Sequence, residues 1–367
     1  MNIEYIAVAY YPVIGGTETY VLELTRRMAS RGHSVTVHTS FLNPNYNGQL
    51  LKSDRYQGVE VIRHKLFPPY LFFPKLKGDG VIHMMTYGPL YYTLESFLHR
   101  NNSLVCTPIG EEVIAHHKLR NRILGSSIFD SANMNIALSP SEMSFLIDKY
   151  KVKEDKVTVI PHGVGDDSFL PPDKSSITDV SIASLLEETY FVTLARVVPF
   201  KRIDLGIEIL ASLPAHCKYV IIGPLQDKKH YQELLRLADK LHVRSRVHFL
   251  GMVDENTKRT LLSRSAFLLR PGTESFGIVP FEAMAQGVPI VTSDHVVNCE
   301  IVTDGYNGLI FEKENASSGA QKALCLIDDT KMRNELGRNG RELTISRYHW
   351  NAIADRTENV YKQVLDI

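Results

Sequence analysis

Strand-like and helix-like runs alternate along most of this 367-residue chain, and that alternation limits the possible fold more than any other feature. Short apolar or β-branched runs are separated by segments whose apolar residues recur every three to four positions. Strands that alternate with helices predict parallel sheets joined by crossover helices. The pattern occurs across residues 3–160 and again across residues 190–291. Because a chain of this length exceeds one ordinary hydrophobic core, we predict an α/β protein of two domains.

Apolar runs place the individual strands and helices. In the first half, the predicted strands cover residues 3–9, 35–37, 80–83, 104–107, 135–138 and 157–160. In the second half, they cover residues 190–195, 219–223, 247–251, 266–269 and 289–291. Tyr20, Val21, Leu24 and Met28 recur at helical spacing and predict the first helix. Residues 161–173 are rich in turn formers and predict the linker between the halves.

Composition restricts the class of protein. Apolar residues make up 44% of the chain and charged residues 22%, which is typical of a soluble globular protein. Lys plus Arg and Asp plus Glu number 41 each, so no global field draws the chain to nucleic acid. The first residues carry no basic lead and no long apolar window follows. We therefore expect a cytoplasmic protein with neither a signal peptide nor a membrane span.

The four cysteines stand far apart, at Cys106, Cys217, Cys299 and Cys325, without metal-type spacing. We expect them to be buried thiols in a reducing compartment. No cluster of metal-ligand residues is visible in the sequence, so neither a metal nor another cofactor is predicted.

Residues 270–282 say most about function. Glu274 and Glu282 stand eight positions apart in this segment, and Pro280 suits the opening turn of a helix because it has no N–H to offer. We expect Glu274 in a loop and Glu282 in the first turn of the helix, both facing a cleft. Carboxylates accept hydrogen bonds from sugar and ribose hydroxyls. The alternative is a solvated loop side chain and an ordinary anion near a positive helix end.

Two other segments could hold an anion. Gly15 and Gly16 lie between the first strand and the first helix, where backbone N–H groups and the helix dipole favour negative charge. Arg196 and Lys201 follow a strand, and Pro199 delays the next helix so that Lys201 falls near its start. A bound anion would remove the penalty of a cation at that helix end. A flexible turn and solvated basic side chains are the respective alternatives. Gly15-Gly16 lacks the dinucleotide fingerprint, which counts against a dehydrogenase.

The segment 270–282 resembles the Glu-seven-residues-Glu element of the retaining nucleotide-sugar glycosyltransferases of group 1, a family that includes sucrose-phosphate synthases and bacterial mannosyltransferases. The resemblance extends to residues 287–289 and 300–309, and to the turn at 161–165, where His162 takes the place of the family's usual Asn. It implies the GT-B fold, with two Rossmann-like domains whose parallel sheets face a central cleft.

The same resemblance implies a division of labour between domains. Residues 1–166 would form an acceptor-binding domain and residues 167–345 a nucleotide-sugar-binding domain. Residues 346–367 would form a C-terminal helix that packs back on the first domain. The implied activity is metal-independent transfer of a sugar, with retention of anomeric configuration, from a GDP- or UDP-sugar to an acceptor hydroxyl. The acceptor would be a glycan or a lipid-linked glycan.

Residue roles follow from the matched motifs. Arg196 and Lys201 would grip the diphosphate, Glu274 would contact the donor sugar, and these three would form the catalytic set. Glu282 would accept hydrogen bonds from the ribose. The other residues implied in nucleotide-sugar binding are Gly15, Gly16, Gly223, Met252, Val253, Phe276, Gly277 and Ile278.

The acceptor side departs from the family pattern. Many members carry a histidine in a Thr-x-His-Gly stretch of the first domain, whereas Ile109 stands at that place here. His83, His116 and His117 are candidates to orient an acceptor instead, and ordinary buried or solvated histidines are the alternative.

Two further interpretations stay open. Residues 65–77 combine aromatics, prolines and three lysines, and residues 116–122 are basic. If exposed, these segments would suit peripheral contact with the inner face of a membrane, and a packed loop is the alternative. The function classes that compete with a transferase are a catalytically silent nucleotide-sugar-binding partner subunit and a nucleotide-sugar epimerase.

Overall fold

A computed structural model describes residues 1–13, 16–41, 50–64, 80–85, 102–108, 129–272 and 277–367. The chain divides into two compact units. The first unit comprises Met1–Gly163 together with Trp350–Ile367, and the second comprises Val164–His349.

The described strands of the first unit form one mixed sheet. They are β1 (Asn2–Ile6), β2 (Ser34–Ser40), β3 (Ser53–Tyr56), β4 (Val59–His64), β5 (Gly80–Met84), β6 (Asn102–Cys106), β7 (Met134–Ala137) and β8 (Val157–Val159). Their order is β3-β4-β2-β1-β5-β6-β7-β8. β3 pairs antiparallel with β4, and the other neighbours are parallel. The described part of this unit also contains helices and the 3₁₀ turn Glu154–Lys156.

Two helices described in the first unit, α1 (Gly16–Ser30) and α2 (Pro140–Tyr150), follow β1 and β7. The predicted stripe of α1 is confirmed, because Tyr20, Val21, Leu24 and Met28 are all completely buried. The C-terminal helix (Trp350–Val364) shares the core that contains α1 and β1. Trp350 of this helix lies so close to Gly163 that a Cβ there would be 2.5 Å from the indole ring, and only glycine fits.

The second unit has one parallel sheet. Its strands are β9 (Thr189–Leu194), β10 (Cys217–Ile222), β11 (Val247–Gly251), β12 (Leu268–Arg270), β13 (Ile290–Ser293) and β14 (Gly308–Phe311), in the order β11-β10-β9-β12-β13-β14. Its helices are α3 (Val180–Leu185), α4 (Ile203–Ala211), α5 (Lys228–Lys240), α6 (Glu255–Arg264), α7 (Val279–Ala285), α8 (Val296–Ile301), α9 (Ala316–Asp328) and α10 (Thr330–Leu343). Shorter turns include the 3₁₀ helices Asp166–Phe169 and Pro199–Lys201 and the π-helix Thr344–Tyr348.

Both faces of the second sheet are covered. Along β9, Phe191 belongs to one hydrophobic core, whereas Tyr190 and Val192 belong to the core on the opposite face. Strands buried on both faces need apolar residues at successive positions, which is why the strands of this half are continuous apolar runs in the sequence.

The eleven predicted strands are each confirmed within a few residues, whereas β3, β4 and β14 were not predicted. β3 has the polar sequence Ser53–Tyr56 and three of its four residues are exposed, so no apolar run marks it. β14 has four residues and begins with a glycine.

The expectation for the cysteines is half wrong. Cys106 and Cys217 are buried in strands, but Cys299 on α8 and Cys325 on α9 are exposed because they lie on the outward faces of those helices. None of the described helices is both long enough and apolar enough to cross a membrane. Within the described ranges, no three His, Cys, Asp or Glu side chains form a group that could hold a metal ion.

Candidate functional site

In the second unit, the chain adds strands first on one side of β9 and then on the other. The chain runs from β9 through β10 to β11 on one side, and β12, β13 and β14 lie on the other side. In open parallel sheets, ligands bind outside the carboxyl ends of the strands at such a switch point. Residues 195–202 leave β9 there, and Pro271 and Gly272 leave β12 beside them. Two of the twelve predicted donor-site residues belong to the segment 195–202, and four more belong to the sequence 271–278, of which the structure describes 271, 272, 277 and 278.

Two glycines let the neighbouring loops close on the segment after β9. A Cβ at Gly223, directly after β10, would lie 2.1 Å from the carbonyl oxygen of Ala195. A Cβ at Gly272, two residues after the end of β12, would lie 2.3 Å from the carbonyl oxygen of Phe200. Residues 195–201 are therefore held from both sides by close backbone contact. This contact fixes the backbone positions from which the side chains of Arg196 and Lys201 extend. Gly223 thus has a packing role at the position where the sequence predicted a nucleotide contact.

Arg196 and Lys201 share one aromatic neighbour. The guanidinium carbon of Arg196 lies 5.9 Å from the ring centroid of Phe200, and the ammonium of Lys201 lies 5.2 Å from it. Arg196 is exposed and donates a hydrogen bond to Oε1 of Gln226 at 3.1 Å. The ring attracts both cations, so it draws two like charges toward one place.

Arg202, the next residue, serves the fold. Its φ of 52° puts it in the left-handed region at the N-cap of α4. Its guanidinium is paired with Asp204 at 3.1 Å and also with Glu314. Arg202 is therefore engaged in ion pairs of the fold. The other two cations of this segment are Arg196 and Lys201.

The segment after β12 is described only in part. Glu274 and Phe276 lie outside the described residues. Gly277 has a φ of 46°, in the left-handed region that favours glycine, and Ile278 is the N-cap of α7. The fully buried Asn298 of α8 donates from Nδ2 to the Gly272 carbonyl at 3.3 Å and to the Ser293 carbonyl at 3.2 Å. That contact anchors the beginning of the loop to the neighbouring strand end.

Glu282 lies in the first turn of α7, as predicted, but it is not alone there. Its Oε1 accepts a hydrogen bond from Nζ of Lys258 on α6 at 2.9 Å, and its side chain is 14% exposed. Burial raises the pKa of the Glu282 carboxyl, and the charge of Lys258 opposes part of that rise. Burial disfavours the charged ammonium of Lys258, yet the attraction of Glu282 and Glu255 raises its pKa overall.

A cavity of about 160 Å³ adjoins this ion pair within the second unit. Its walls are the 3₁₀ helix at Asp167, the inward face of α6 and the side of α7 that carries Glu282. Gln286, one turn after Glu282, donates to carbonyls of the segment that contains Asp167. The Glu282 carboxylate thus borders a cavity and does not lie in a closed core.

Met252 and Val253 follow β11 at the same edge of the sheet. Met252 is 75% exposed and Val253 is half-buried. Gly251 before them has a φ of 68°, and its carbonyl accepts from the N–H of Gly223 at 2.8 Å. The loop after β11 is thereby tied to the loop after β10, with the Met252 side chain directed into solvent.

The first unit carries the predicted glycine pair. Gly15 lies outside the described residues, whereas Gly16 begins α1 and a Cβ there would meet no atom within 4 Å. Its carbonyl lies 3.4 Å from Nε2 of the buried His162, whose Nδ1 is 2.7 Å from the Gly163 carbonyl. His162 therefore fastens the start of α1 to the turn that ends the first part of the unit.

His83 is a structural residue, which argues against the acceptor role predicted for it. It is completely buried in β5, with Nδ1 2.5 Å from the Tyr361 hydroxyl and Nε2 2.6 Å from the Thr107 hydroxyl. Burial lowers its pKa to about 3, so the ring is neutral. Both ring nitrogens are engaged inside the core. His116, His117 and Ile109, and the segments 65–77 and 116–122, lie outside the described residues.

Sequence reasoning missed Lys258, Phe200 and Asn298. Phe200 stands directly beside Lys201, so an aromatic next to a predicted anion-binding lysine was the available signal. Lys258 and Asn298 carry no comparable signal, because each reaches its partner through the tertiary fold, 24 and 26 residues away.

Comparison with known proteins places the whole chain among sugar-transferring enzymes. Residues 178–343 match the family model described as glycosyl transferases group 1, and residues 14–168 match the model described as glycosyltransferase family 4. The chain is 23% identical to N-acetyl-alpha-D-glucosaminyl L-malate synthase of Bacillus anthracis, over 98% of this chain and 97% of that protein. It is 29% identical to an uncharacterized glycosyltransferase of Methanocaldococcus jannaschii, over 100% of this chain and 99% of that protein.

Solved structures share the fold. Sucrose-phosphate synthase from Thermosynechococcus elongatus superposes with a TM-score of 0.77 at 21% identity, over 100% of this chain and 99% of that one. Anabaena HepE in complex with UDP and glucose superposes with a TM-score of 0.78 at 20% identity, over 99% and 100%. Together with the two α/β units, whose sheets are parallel apart from the β3–β4 pair, this likeness confirms the predicted GT-B fold.

Proposed function

Because the chain belongs to the glycosyl transferases group 1 family, we propose that it moves a sugar from a UDP- or GDP-sugar to a hydroxyl of a glycan or lipid-linked glycan, with retention of configuration. The observation that carries the proposal is the switch point of the second sheet, where Arg196 and Lys201 follow β9 and the largely buried carboxylate of Glu282 lies on α7, the helix that comes after the neighbouring β12. A nucleoside diphosphate needs both kinds of group, since its phosphates are anionic and its ribose offers hydroxyl donors.

The chemistry assigns a role to each side chain. Cleavage of the bond between sugar and diphosphate leaves negative charge on the departing oxygen, and cations held in advance at that place stabilise it. Arg196 and Lys201 would supply that charge, because the backbone around them is fixed by Gly223 and Gly272. Glu282 would accept from the ribose, Glu274 would contact the sugar, and the backbone at Gly277 and Ile278 would border it.

The comparisons support a nucleotide-sugar donor. The Anabaena protein was solved with UDP and glucose, and a relative in Catenulispora acidiphila is named a D-inositol 3-phosphate glycosyltransferase. We assign donor binding to residues 167–345 and acceptor binding to residues 1–166, with the C-terminal helix (Trp350–Val364) completing the acceptor domain. A lipid-linked acceptor would bring the protein to a membrane surface, and failure to sediment with anionic vesicles at low salt would count against that part.

Titration calorimetry and thermal unfolding in the presence of UDP, GDP and ADP test the donor assignment. At one hundred times its dissociation constant, a bound nucleotide should stabilise the fold by about 2.7 kcal/mol. Arg196→Gln and Lys201→Gln should weaken that binding, whereas Lys331→Ala, which removes an exposed cation from α10, should leave it unchanged. Failure of both UDP and GDP to bind would refute the proposal.

Product analysis separates the remaining alternatives. With an α-linked donor, the proton spectrum of the product should show an α-linkage, and a β-linkage would refute retention. Donor epimerisation without any acceptor would favour an epimerase. Tight donor binding with no turnover on any acceptor would favour a silent partner subunit, the alternative that the departure at Ile109 suggests.

A further inference from the structure

We infer that Lys258 is a positioning residue of the donor site, which holds the Glu282 carboxylate in place for the ribose hydroxyls of a nucleoside diphosphate. The inference rests on the proposed function, because it gives Glu282 the task of binding ribose. It adds a residue from α6 that the motif around Glu274 and Glu282 does not contain.

The contact is specific in geometry. Lys258 lies between two carboxylates, with Nζ 2.9 Å from Oε1 of Glu282 and 2.7 Å from Oε2 of Glu255. Glu282 is 14% exposed and Lys258 22%, whereas Glu255 is 81% exposed. The strong partner of Lys258 is therefore Glu282, because water screens the exposed carboxylate far more than the buried one.

A contribution to folding stability does not by itself explain the ion pair of Lys258 and Glu282. Removing two charges from water costs about as much as their attraction returns, and apolar side chains of similar size often do equally well. The chain nonetheless keeps this pair beside a cavity, at the carboxylate that its family motif supplies. A task in binding explains that better than a contribution to folding does.

Ribose binding defines the task. An ionised carboxylate accepts hydrogen bonds at both oxygens, whereas a protonated one turns one oxygen into a donor. Burial favours the protonated form of Glu282, and the ammonium of Lys258 opposes it. Lys258 contacts Oε1, and since a carboxylate offers about four acceptor positions, the contact orients the group while leaving acceptor capacity for two hydroxyls.

Other charged or titratable groups lie around Glu282. They are Glu255 and Arg259 on α6, Asp167 on the 3₁₀ helix, Arg341 of α10 at the Ala285 carbonyl, and Tyr348 of the π-helix against Phe281. Of these, Glu255 acts on Glu282 in the opposite sense to Lys258. Lys258 is the group whose removal should change the ionisation of Glu282 most.

The test measures the dissociation constants of UDP and GDP by calorimetry between pH 5 and pH 8.5. In Lys258→Met, the acid limb of binding should move to higher pH by at least about one unit, since an opposite charge at this distance shifts a carboxyl pKa by about one to three units. Lys258→Arg should keep the wild-type limb. Glu255→Gln, which removes an exposed like charge, should not move the limb to higher pH.

A probe without ribose hydroxyls separates positioning from structure. The penalty of Lys258→Met should vanish with the 2′,3′-dideoxy forms of UDP and GDP, and it should vanish in a Glu282→Gln background. A purely structural effect would weaken all these probes alike and would overturn the inference. If Lys258→Met unfolds, Lys258→Gln takes its place, with the thermal midpoint recorded for every variant.

The two ideas fail in different ways. Wild-type protein that binds neither UDP nor GDP would refute the proposed function and the inference with it. Wild-type protein that binds one of them, with the same acid limb in Lys258→Met and Lys258→Gln, would overturn the inference and leave the proposed function standing.

Discussion

The close approach of Gly272 to the segment after β9 makes a sharp prediction about activity. Gly272 has no positive φ, so alanine is compatible with its backbone and the effect of Gly272→Ala is steric. The added Cβ would lie 2.3 Å from the Phe200 carbonyl oxygen and 2.8 Å from the Lys201 carbonyl carbon. Real Cβ atoms essentially never come within 3.0 Å, and ordinary contact begins at 3.4 Å. Because both obstacles are backbone atoms, residues 200–201 must move by about 1 Å.

That displacement acts on the two cations directly. A misplacement of about 1 Å in a catalytic group can cost roughly a hundredfold in rate. Overpacking of this kind destabilises by about 1–3 kcal/mol, which lowers the melting temperature of a domain of this size by roughly 2–12 °C. We therefore expect Gly272→Ala to lose about a hundredfold in kcat/KM for donor cleavage while it stays folded at 25 °C.

The assay follows UDP or GDP release from the donor that binds, with melting temperature measured beside it. Gly319→Ala is the matched control, because its Cβ would meet the end of the Ile209 side chain at 2.5 Å in the core of the same unit. The control should lower the melting temperature and leave the rate near that of wild type. A folded Gly272→Ala protein with wild-type kcat/KM would refute the idea that close backbone contact positions Arg196 and Lys201.

Two further perturbations test other parts of the structure. Phe200→Leu should raise the dissociation constant of UDP or GDP about two- to fivefold, since each exposed cation–π contact contributes about 0.5–1 kcal/mol. An unchanged dissociation constant in calorimetry would show that the ring does not hold the cations. The pKa of His83 is lowered from 6.5 to about 3 in the folded protein. Below pH 6.5, the unfolded chain therefore binds a proton that the folded chain does not. The free energy of unfolding should fall as pH drops from about 7 to 4. His83→Gln should flatten that slope in urea denaturation followed by circular dichroism, and an unchanged slope would contradict the assignment of a buried neutral ring.

The sequence predicts the fold well because most strands here are buried on both faces. Such strands must be apolar at successive positions, as β9 and β10 are. They can therefore be recognised in the sequence without knowing which strands lie beside them. The hairpin of β3 and β4 could not be predicted in this way. β3 lies at the edge of the sheet and is polar, so no apolar run marks it in the sequence. The exposed Cys299 and Cys325 show the same limit, since the preference of a residue type does not fix which face of a helix carries it.

The candidate site is only partly visible in sequence. Glu282 and Pro280 were placed correctly in α7 because proline and the flanking glycines mark a loop that becomes a helix. The contact of Glu282 with Lys258 could not be predicted, since it joins two helices on one side of the sheet across 24 residues. His83 shows the converse. A histidine in an apolar strand was a candidate ligand-binding residue until Tyr361, from the far end of the chain, proved to be its partner.

The most direct test of the account is the single-turnover rate of donor cleavage by a folded Arg196→Gln, Lys201→Gln double variant, measured with and without EDTA. We expect the rate to fall by at least about a hundredfold relative to wild type, because the two cations stabilise the leaving diphosphate. EDTA should change neither rate. A double variant as fast as wild type, or a wild-type rate abolished by EDTA, would contradict the claim that these two side chains bear the charge of the departing group.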